Sequence, residues 1–211
     1  MSYWSHPKPV RRTRAVDVGA IAQAAVKLLG EGGLRSLTVR AVAAHIGVAP
    51  PSLYSRVQSV EDLFDLALDH ALGCDQGIAD AIVDAELPDL MIAYYRHLLR
   101  HRWACQVVAM RAPRGPNYLR LSERMCNLLI QAGTPDPLSV TYALSNYVIG
   151  SAATAFVADS ERDAPIDPDI APAYANLHAH HNIDPEVILM TGLAALHKQA
   201  TMGYDRDEPR G

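Results

Sequence analysis

The sequence predicts an all-α fold. Three observations carry that expectation. Hydrophobic residues make up 49% of the 211 positions, with alanine, leucine and valine prominent, while aromatics supply only 6%. Ala-rich sequence with little β-branched alternation favours helix over strand. Apolar residues also recur three and four apart in segment after segment, with cap and breaker residues between the segments.

The first helix starts after Asp17, whose carboxylate suits an N-cap. Val18, Ile21, Ala25, Leu28 and Leu29 then repeat at helical spacing. "GEGG", Gly30 to Gly33, ends it, and Leu34 and Leu37 fold back onto the core. Thr38 caps a second helix, with its apolar side at Val39, Val42, Ala43 and Ile46. Gly47 stands where a left-handed residue closes a helix. A third helix starts at Pro50 or Pro51 and reaches Val57. Proline in a first turn lacks only a donor that would be unpaired anyway. Ser59 caps a fourth helix, with Asp62 as a capping-box variant. Val60, Leu63, Phe64, Ala67 and Leu68 carry its period toward Gly73.

Helix, tight turn, helix over 38–57 is the size and spacing of a helix-turn-helix. Its second helix has one narrow apolar edge, Leu53 and Val57. The other faces show Pro50, Ser52, Tyr54, Ser55 and Arg56, which suit an element lodged in a DNA groove.

Beyond Gly73 the chain stays helical. "DLMIAYYRHLLRHRW" continues an apolar stripe through Leu87, Leu90, Met91, Tyr94, Tyr95, Leu98 and Leu99. Pro113 to Pro116 is a breaker cluster. Tyr118, Leu121, Met125, Leu128 and Leu129 share one side of the next helix, which Gly133 ends. "PLSVTYALSNYVIGSAATAFVADSE" is apolar almost all round and is expected to be buried on two sides. "RDAPIDPDIAP" is a loop, the last long helix covers about 184–201, and "GYDRDEPRG" is a polar tail expected to be disordered.

Charge is unevenly spread. Up to Val60 there are eight Lys and Arg against Asp17 and Glu31, a net +6, and the remainder carries −10. A basic module on an acidic body suggests a polyanionic partner. The N-terminus has no apolar run for a signal peptide. The weakly polar run at 147–158 is too short for a membrane span of ~20 residues. Three scattered cysteines, Cys74, Cys105 and Cys126, suggest neither a disulfide framework nor a zinc site. A cytoplasmic protein is expected, and no motif asks for a cofactor.

Leu37 to Leu68, "LTVRAVAAHIGVAPPSLYSRVQSVEDLFDLAL", resembles the DNA-binding domain of the tetracycline-repressor (TetR) family. The matching features are Leu37-Thr38, Ala44 with Gly47-Val48, Leu53-Tyr54, and Ser59 with Glu61 and Asp62. The clear resemblance covers about 15–72; beyond it the match is architectural. It implies an N-terminal helix-turn-helix DNA-binding domain and a larger helical ligand-binding and dimerisation domain. The boundaries expected are a basic arm and three-helix head over 1–60, a connecting helix over 61–73, a body over 74–203 and a tail over 204–211.

Each candidate residue has two readings. Arg40 is a solvated helix arginine or, by the resemblance, a reader of a guanine edge, which arginine can bind bidentately. Thr38 precedes it at the same helix start. Tyr54 is a half-buried packing residue or, by the resemblance, a phosphate holder. Pro50, Pro51, Ser52 and Ser55 are plain surface or contacts to thymine methyls and base edges, and Arg56 reaches a base or a phosphate. The family often has lysine where Val60 stands, so one phosphate contact is missing. A helix N-terminus and the arm Lys8, Arg11, Arg12 and Arg14 are the expected compensation; the arm's alternative is a solubilising tail.

Met91, Tyr94, Tyr95, Trp103, Met110, Tyr118, Met125, Tyr142, Asn146 and Tyr147 are ordinary core or the lining of an adaptable effector pocket. The stripe is expected to converge on a cavity above ~300 Å³ near Tyr94, Tyr118 and Met125, without which the ligand reading has no support. "HAHH", His178 with His180 and His181, has no acidic or cysteine partner at matching spacing, so no metal is expected.

The resemblance implies a homodimeric repressor of operator DNA. Its interface helices would run from about Pro137 and at the chain's end, and a small lipophilic effector would release the DNA by shifting the fourth helix. Activation stays open. A small all-α enzyme is the alternative from another class; no Ser-His-Asp order, H-E-x-x-H or phosphate loop supports it. An architectural DNA binder without an effector is the third reading, and a fully packed body would favour it.

Overall fold

A computed structural model describes residues 2–5, 16–181 and 184–202. Among them there is no strand, so the all-α expectation holds. The arm residues Lys8, Arg11, Arg12 and Arg14, and the tail, lie outside the described residues.

Four helices open the chain: α1 (Val18–Gly32), α2 (Val39–His45), α3 (Pro50–Leu53) and α4 (Val60–Gly73). Asp17 caps α1 by accepting the Ala20 amide at 3.0 Å, and Thr38 caps α2 by accepting the Ala41 amide at 3.0 Å. Gly47 has φ 71°, and Val48 donates back to the Ala43 carbonyl, so the turn after α2 closes as a left-handed cap. A side chain at Gly47 would be strained, which is why glycine stands there.

The helix α3 is shorter than the expected reach to Val57. Residues 54–56 form a turn. Pro50 and Pro51 bring no amide donors, and Ser55 Oγ donates to the Ser52 carbonyl at 2.7 Å, an alternative to the helical ladder. The segment is held by packing. Leu53 and Val57 are both fully buried. An isolated turn of this length has no stability of its own.

The rest comprises α5 (Gln76–Asp84), α6 (Leu87–Arg100), α7 (Arg102–Met110), α8 (Pro116–Gln131), α9 (Pro137–Thr154), α10 (Ala158–Asp163), α11 (Pro172–His180) and α12 (Pro185–Met202). The core helix is α6, which packs on α5, α7, α8, α9 and α12. Its apolar stripe ends at His101, where the chain turns into α7 without glycine or proline. The His101 ring there lies tilted against His97 and edge-on to Trp103, with centroids 4.9 and 5.8 Å away.

Two-sided burial of α9 is not what the single chain shows. Thr141, Leu144, Val148 and Ala152 are buried, whereas Leu138 and Tyr142 lie exposed on the opposite side. The helix also stops at Thr154. That residue's hydroxyl binds the Gly150 and Ser151 carbonyls before a 3-10 turn at Ala155–Val157. No helix among the described residues is long and apolar enough to cross a membrane.

The connecting helix α4 packs on α1, α5, α7 and α8. It carries three buried acids, Asp62, Asp65 and Asp69, on an otherwise apolar surface. Asp62 accepts the Gln58 amide at 2.6 Å, one residue outside the expected capping-box position. Asp65 accepts Arg111 Nε at 2.9 Å and Arg111 Nη2 at 3.1 Å, the Tyr3 amide at 2.8 Å and the Ser2 hydroxyl at 3.0 Å. Asp69 caps α8, accepting the Asn117 and Tyr118 amides at 2.8 and 3.1 Å. Gly115 has to lack a Cβ, because one would run into the Asp69 side chain.

Candidate DNA interface and body cavity

Thr38, Arg40, Pro51, Ser52, Tyr54 and Ser55 are exposed, and Pro50 and Arg56 are half-buried. They lie on α2, α3 and the turn that follows, which pack together above Leu53 and Val57. The start of α2 and the surface of α3 therefore present guanidinium, hydroxyls, a phenol at 51% exposure and proline rings to solvent. That set can meet phosphates and base edges.

Three details qualify this surface. Ser55 has already committed its hydroxyl proton to Ser52, which leaves it an acceptor. Arg56 donates Nε to the Val16 carbonyl at 2.8 Å, so it ties the turn after α3 to the residue ahead of the α1 cap. The α4 N-terminus, expected to replace the missing lysine, carries Glu61 and Asp62 in its first turn. The Ser59 hydroxyl and Glu61's own amide hold the Glu61 carboxyl below its ordinary range, so it is ionised and offsets the helix dipole there.

The proposed effector residues separate into two groups. Met91, Tyr94, Tyr95, Trp103, Tyr118 and Met125 are buried. Met110 and Tyr142 are more than half exposed, and Asn146 is exposed on the same α9 side as Tyr142. These three do not share a lining with the buried set. Tyr147 donates its hydroxyl to the Ile188 carbonyl at 2.9 Å, which ties α9 to α12.

The expected convergence near Tyr94, Tyr118 and Met125 also needs correction. Tyr94 and Tyr118 hydrogen-bond each other at 2.7 Å, with rings edge to face at 6.1 Å. Burial pushes both phenols up, Tyr94 the further. The crevice on the α4 side of Tyr118, lined also by Trp4, Asp65, Leu68 and Asp69, has no room for a water molecule. Met91 instead lines a cavity of about 280 Å³ between α6, α9 and α12, with Leu87, Pro88, Leu144, Met190, Leu193, Ala194, His197 and Lys198. Its size falls just below the ~300–1,000 Å³ usual for ligand pockets.

A second buried polar group lies where α4 meets α5 and α6. Asp75 caps α5 and accepts His97 Nδ1–H at 2.7 Å and an Arg100 amino group. Burial pushes the Asp75 carboxyl up, but Arg100 and His97 together pull it below its ordinary range. Burial lowers His97 to about 4, so its ring is neutral near pH 7. The buried acids could have been suspected from Asp62, Asp65 and Asp69 at spacings of three and four, in line with Leu and Ala.

Of the histidine run, His180 and His181 donate Nδ1–H to the Asn176 and Leu177 carbonyls, and His178 lies against the Tyr174 ring. No group of three His, Cys, Asp or Glu among the described residues could hold a metal ion.

Comparison with known proteins extends this picture. Residues 21–67 match the family described as bacterial regulatory proteins, tetR family, and residues 84–171 match the tetracyclin repressor-like C-terminal domain. An HTH-type transcriptional regulator of Saccharopolyspora erythraea is 35% identical over 163 residues, covering 70% of this chain and 65% of that protein. The HTH-type transcriptional repressor DrrR1 of Streptomyces coeruleorubidus is 31% identical over 155 residues, covering 69% and 54%. The chain thus spans less than two thirds of the length of these two relatives. The structure of the Streptomyces coelicolor TetR family protein ActR in complex with actinorhodin has a TM-score of 0.72 at 20% identity, covering 93% of this chain and 100% of that one. Both parts of the family's architecture are therefore matched, and the chain belongs to the tetR family of bacterial regulatory proteins.

Proposed function

We propose that this protein is a transcription regulator, most directly a repressor, that binds a palindromic operator as a homodimer and is released by a small lipophilic effector. The observation that carries the reading is the solvent-facing polar surface of α2 and α3 above a fully buried Leu53 and Val57. The division proposed is a head over 1–60, a connecting helix over 61–73, a body over 74–203 and a tail over 204–211. One head reads one half-site, so two-fold symmetry is required. Exposed apolar residues on α9 and α12, among them Leu138, Tyr142, Val187 and Ile188, support a self-complementary interface between two copies.

Release would work through α4. It touches α1, α7 and α8, and Asp65 and Asp69 fasten it to the end of α7 and the start of α8. An effector that prefers the arrangement with mismatched heads lowers DNA affinity by linkage. The cavity beside α6 favours this over an architectural binder with a fully packed body.

Arg40→Ala should weaken operator binding by ~1–3 kcal/mol and relax the preference at one guanine per half-site. Selection from a randomised site reads this directly; an unchanged base preference would remove Arg40 from the readout.

Deleting residues 8–14 should lower affinity for every sequence. It should also flatten the slope of log K against log salt by about one unit per lost phosphate contact. An identical slope would reduce the arm to a tail. Salt-independent binding by the intact protein would overturn the DNA reading altogether.

A further inference from the structure

We propose that Arg56 is a positioning residue for DNA recognition: it pins the turn that presents Tyr54 to the lead-in of α1, and it neither reads a base nor holds a phosphate. This deepens the DNA reading above and rests on it.

The turn needs a fixing point. The hydrogen bonds of α3 end at the Leu53 carbonyl, which accepts the Arg56 and Val57 amides at 2.8 and 2.9 Å. Leu53 and Val57 are buried beneath, while Tyr54 and Ser55 between them are exposed. A four-residue helix that opens with two prolines cannot set the direction of those two side chains by its own ladder.

Arg56 supplies that point. Its side chain is half-buried, and Nε–H donates to the Val16 carbonyl at 2.8 Å. Val16 stands just ahead of Asp17, which caps α1. The guanidinium charge also acts on the phenol of Tyr3, which is 6% exposed, and opposes the upward push of burial there. Tyr3 is itself fastened to α4, where its amide donates to Asp65 at 2.8 Å. Arg56 therefore sits where the turn after α3, the approach to α1 and the chain start on α4 meet.

A guanidinium that reads DNA needs a free bidentate edge aimed at solvent. Here the Nε–H of one such edge is committed to a backbone carbonyl. What the bond gives instead is a turn already ordered before DNA arrives, which lowers the ordering cost of binding.

The test uses the full-length protein and an operator duplex selected from a randomised pool with the wild type. Arg56→Gln and Arg56→Met both remove the charge. Glutamine carries its amide nitrogen as many bonds from Cα as arginine carries Nε, so Arg56→Gln keeps a donor for Val16. Methionine has similar length and no donor. Titrations at several salt concentrations are run well below the melting temperature of every variant, so loss of fold does not count as loss of binding. Arg56→Gln should bind the operator about fivefold tighter than Arg56→Met, the size of one hydrogen bond. Both should keep the wild-type slope of log K against log salt and the wild-type base preference in a repeated selection. Combined with Tyr54→Phe, the gap between the two variants should shrink to about twofold or less, because the pin acts through Tyr54. Equal binding by the two variants would overturn the pin and leave the DNA reading standing. So would a slope lower by about one unit in both, a changed base preference, or an undiminished gap beside Tyr54→Phe. Absence of salt-dependent duplex binding by the wild type would sink the DNA reading and the pin together.

Discussion

Asp65→Ala is expected to cost the fold about 3 kcal/mol at neutral pH, the low end of what breaking a buried ion pair costs. The carboxylate is 5% exposed and serves two elements from α4: the Arg111 guanidinium at the end of α7 and the Tyr3 amide near the chain start. Removing it leaves Arg111, whose side chain is only 17% exposed, without its Asp65 partner. The remaining exposure of Arg111 is why the low end is chosen. Urea unfolding of both proteins at pH 7 measures the difference.

The pH dependence follows from the same contacts. Burial pushes the Asp65 carboxyl up, but Arg111, the Tyr3 amide and the Ser2 hydroxyl outweigh it and hold the group below its ordinary range. A depressed folded pKa contributes stability above the unfolded value of ~3.9, and that contribution is lost as pH falls through the folded value. The gap between wild type and variant should therefore be full at pH 7 and shrink below about pH 4. His97, with its folded value near 4, makes both proteins lose stability as pH falls below ~6.5, and it cancels in the comparison. A gap that is small at pH 7, or that widens in acid, would contradict the role given to Asp65.

Leu53→Ala is the second large effect, about 2–5 kcal/mol. Leu53 is fully buried and is the last residue of α3, whose first two residues are prolines. No long hydrogen-bonded helix stands behind it. The carbonyl of Leu53 also accepts the Arg56 and Val57 amides, so the turn that carries Tyr54 and Ser55 depends on its seat. Stability should fall, and operator affinity should fall further than for any single surface substitution on α3, because the whole element loses its orientation. Chemical denaturation and an operator titration on the same preparation check both. An unchanged unfolding midpoint would mean that α3 is held by something other than its buried edge.

The sequence by itself determined the all-α class, the caps at Asp17 and Thr38, the left-handed Gly47, and the order helix, turn, helix over 38–57. These features are local. A cap needs a side chain and an amide three residues on, and a helical stripe needs only its own spacing. The exposed residues of α2 and α3 were readable for the same reason, since a residue opposite a buried edge faces outward. Arg56 was not, because its partner, Val16, is far away in the chain.

The tertiary structure decided what depends on which faces meet. The stripe on α6 showed that Tyr94 would be inside, but only the approach of α8 makes Tyr118 its hydrogen-bond partner. Periodicity gave α9 no direction, since it is apolar almost all round; packing on α6, α8 and α12 buried Leu144 and left Tyr142 exposed. The cleft with His197 in its wall needs helices about a hundred positions apart in the chain. No spacing within one helix encodes such a meeting, because its geometry is set by the packing of side chains from several segments at once.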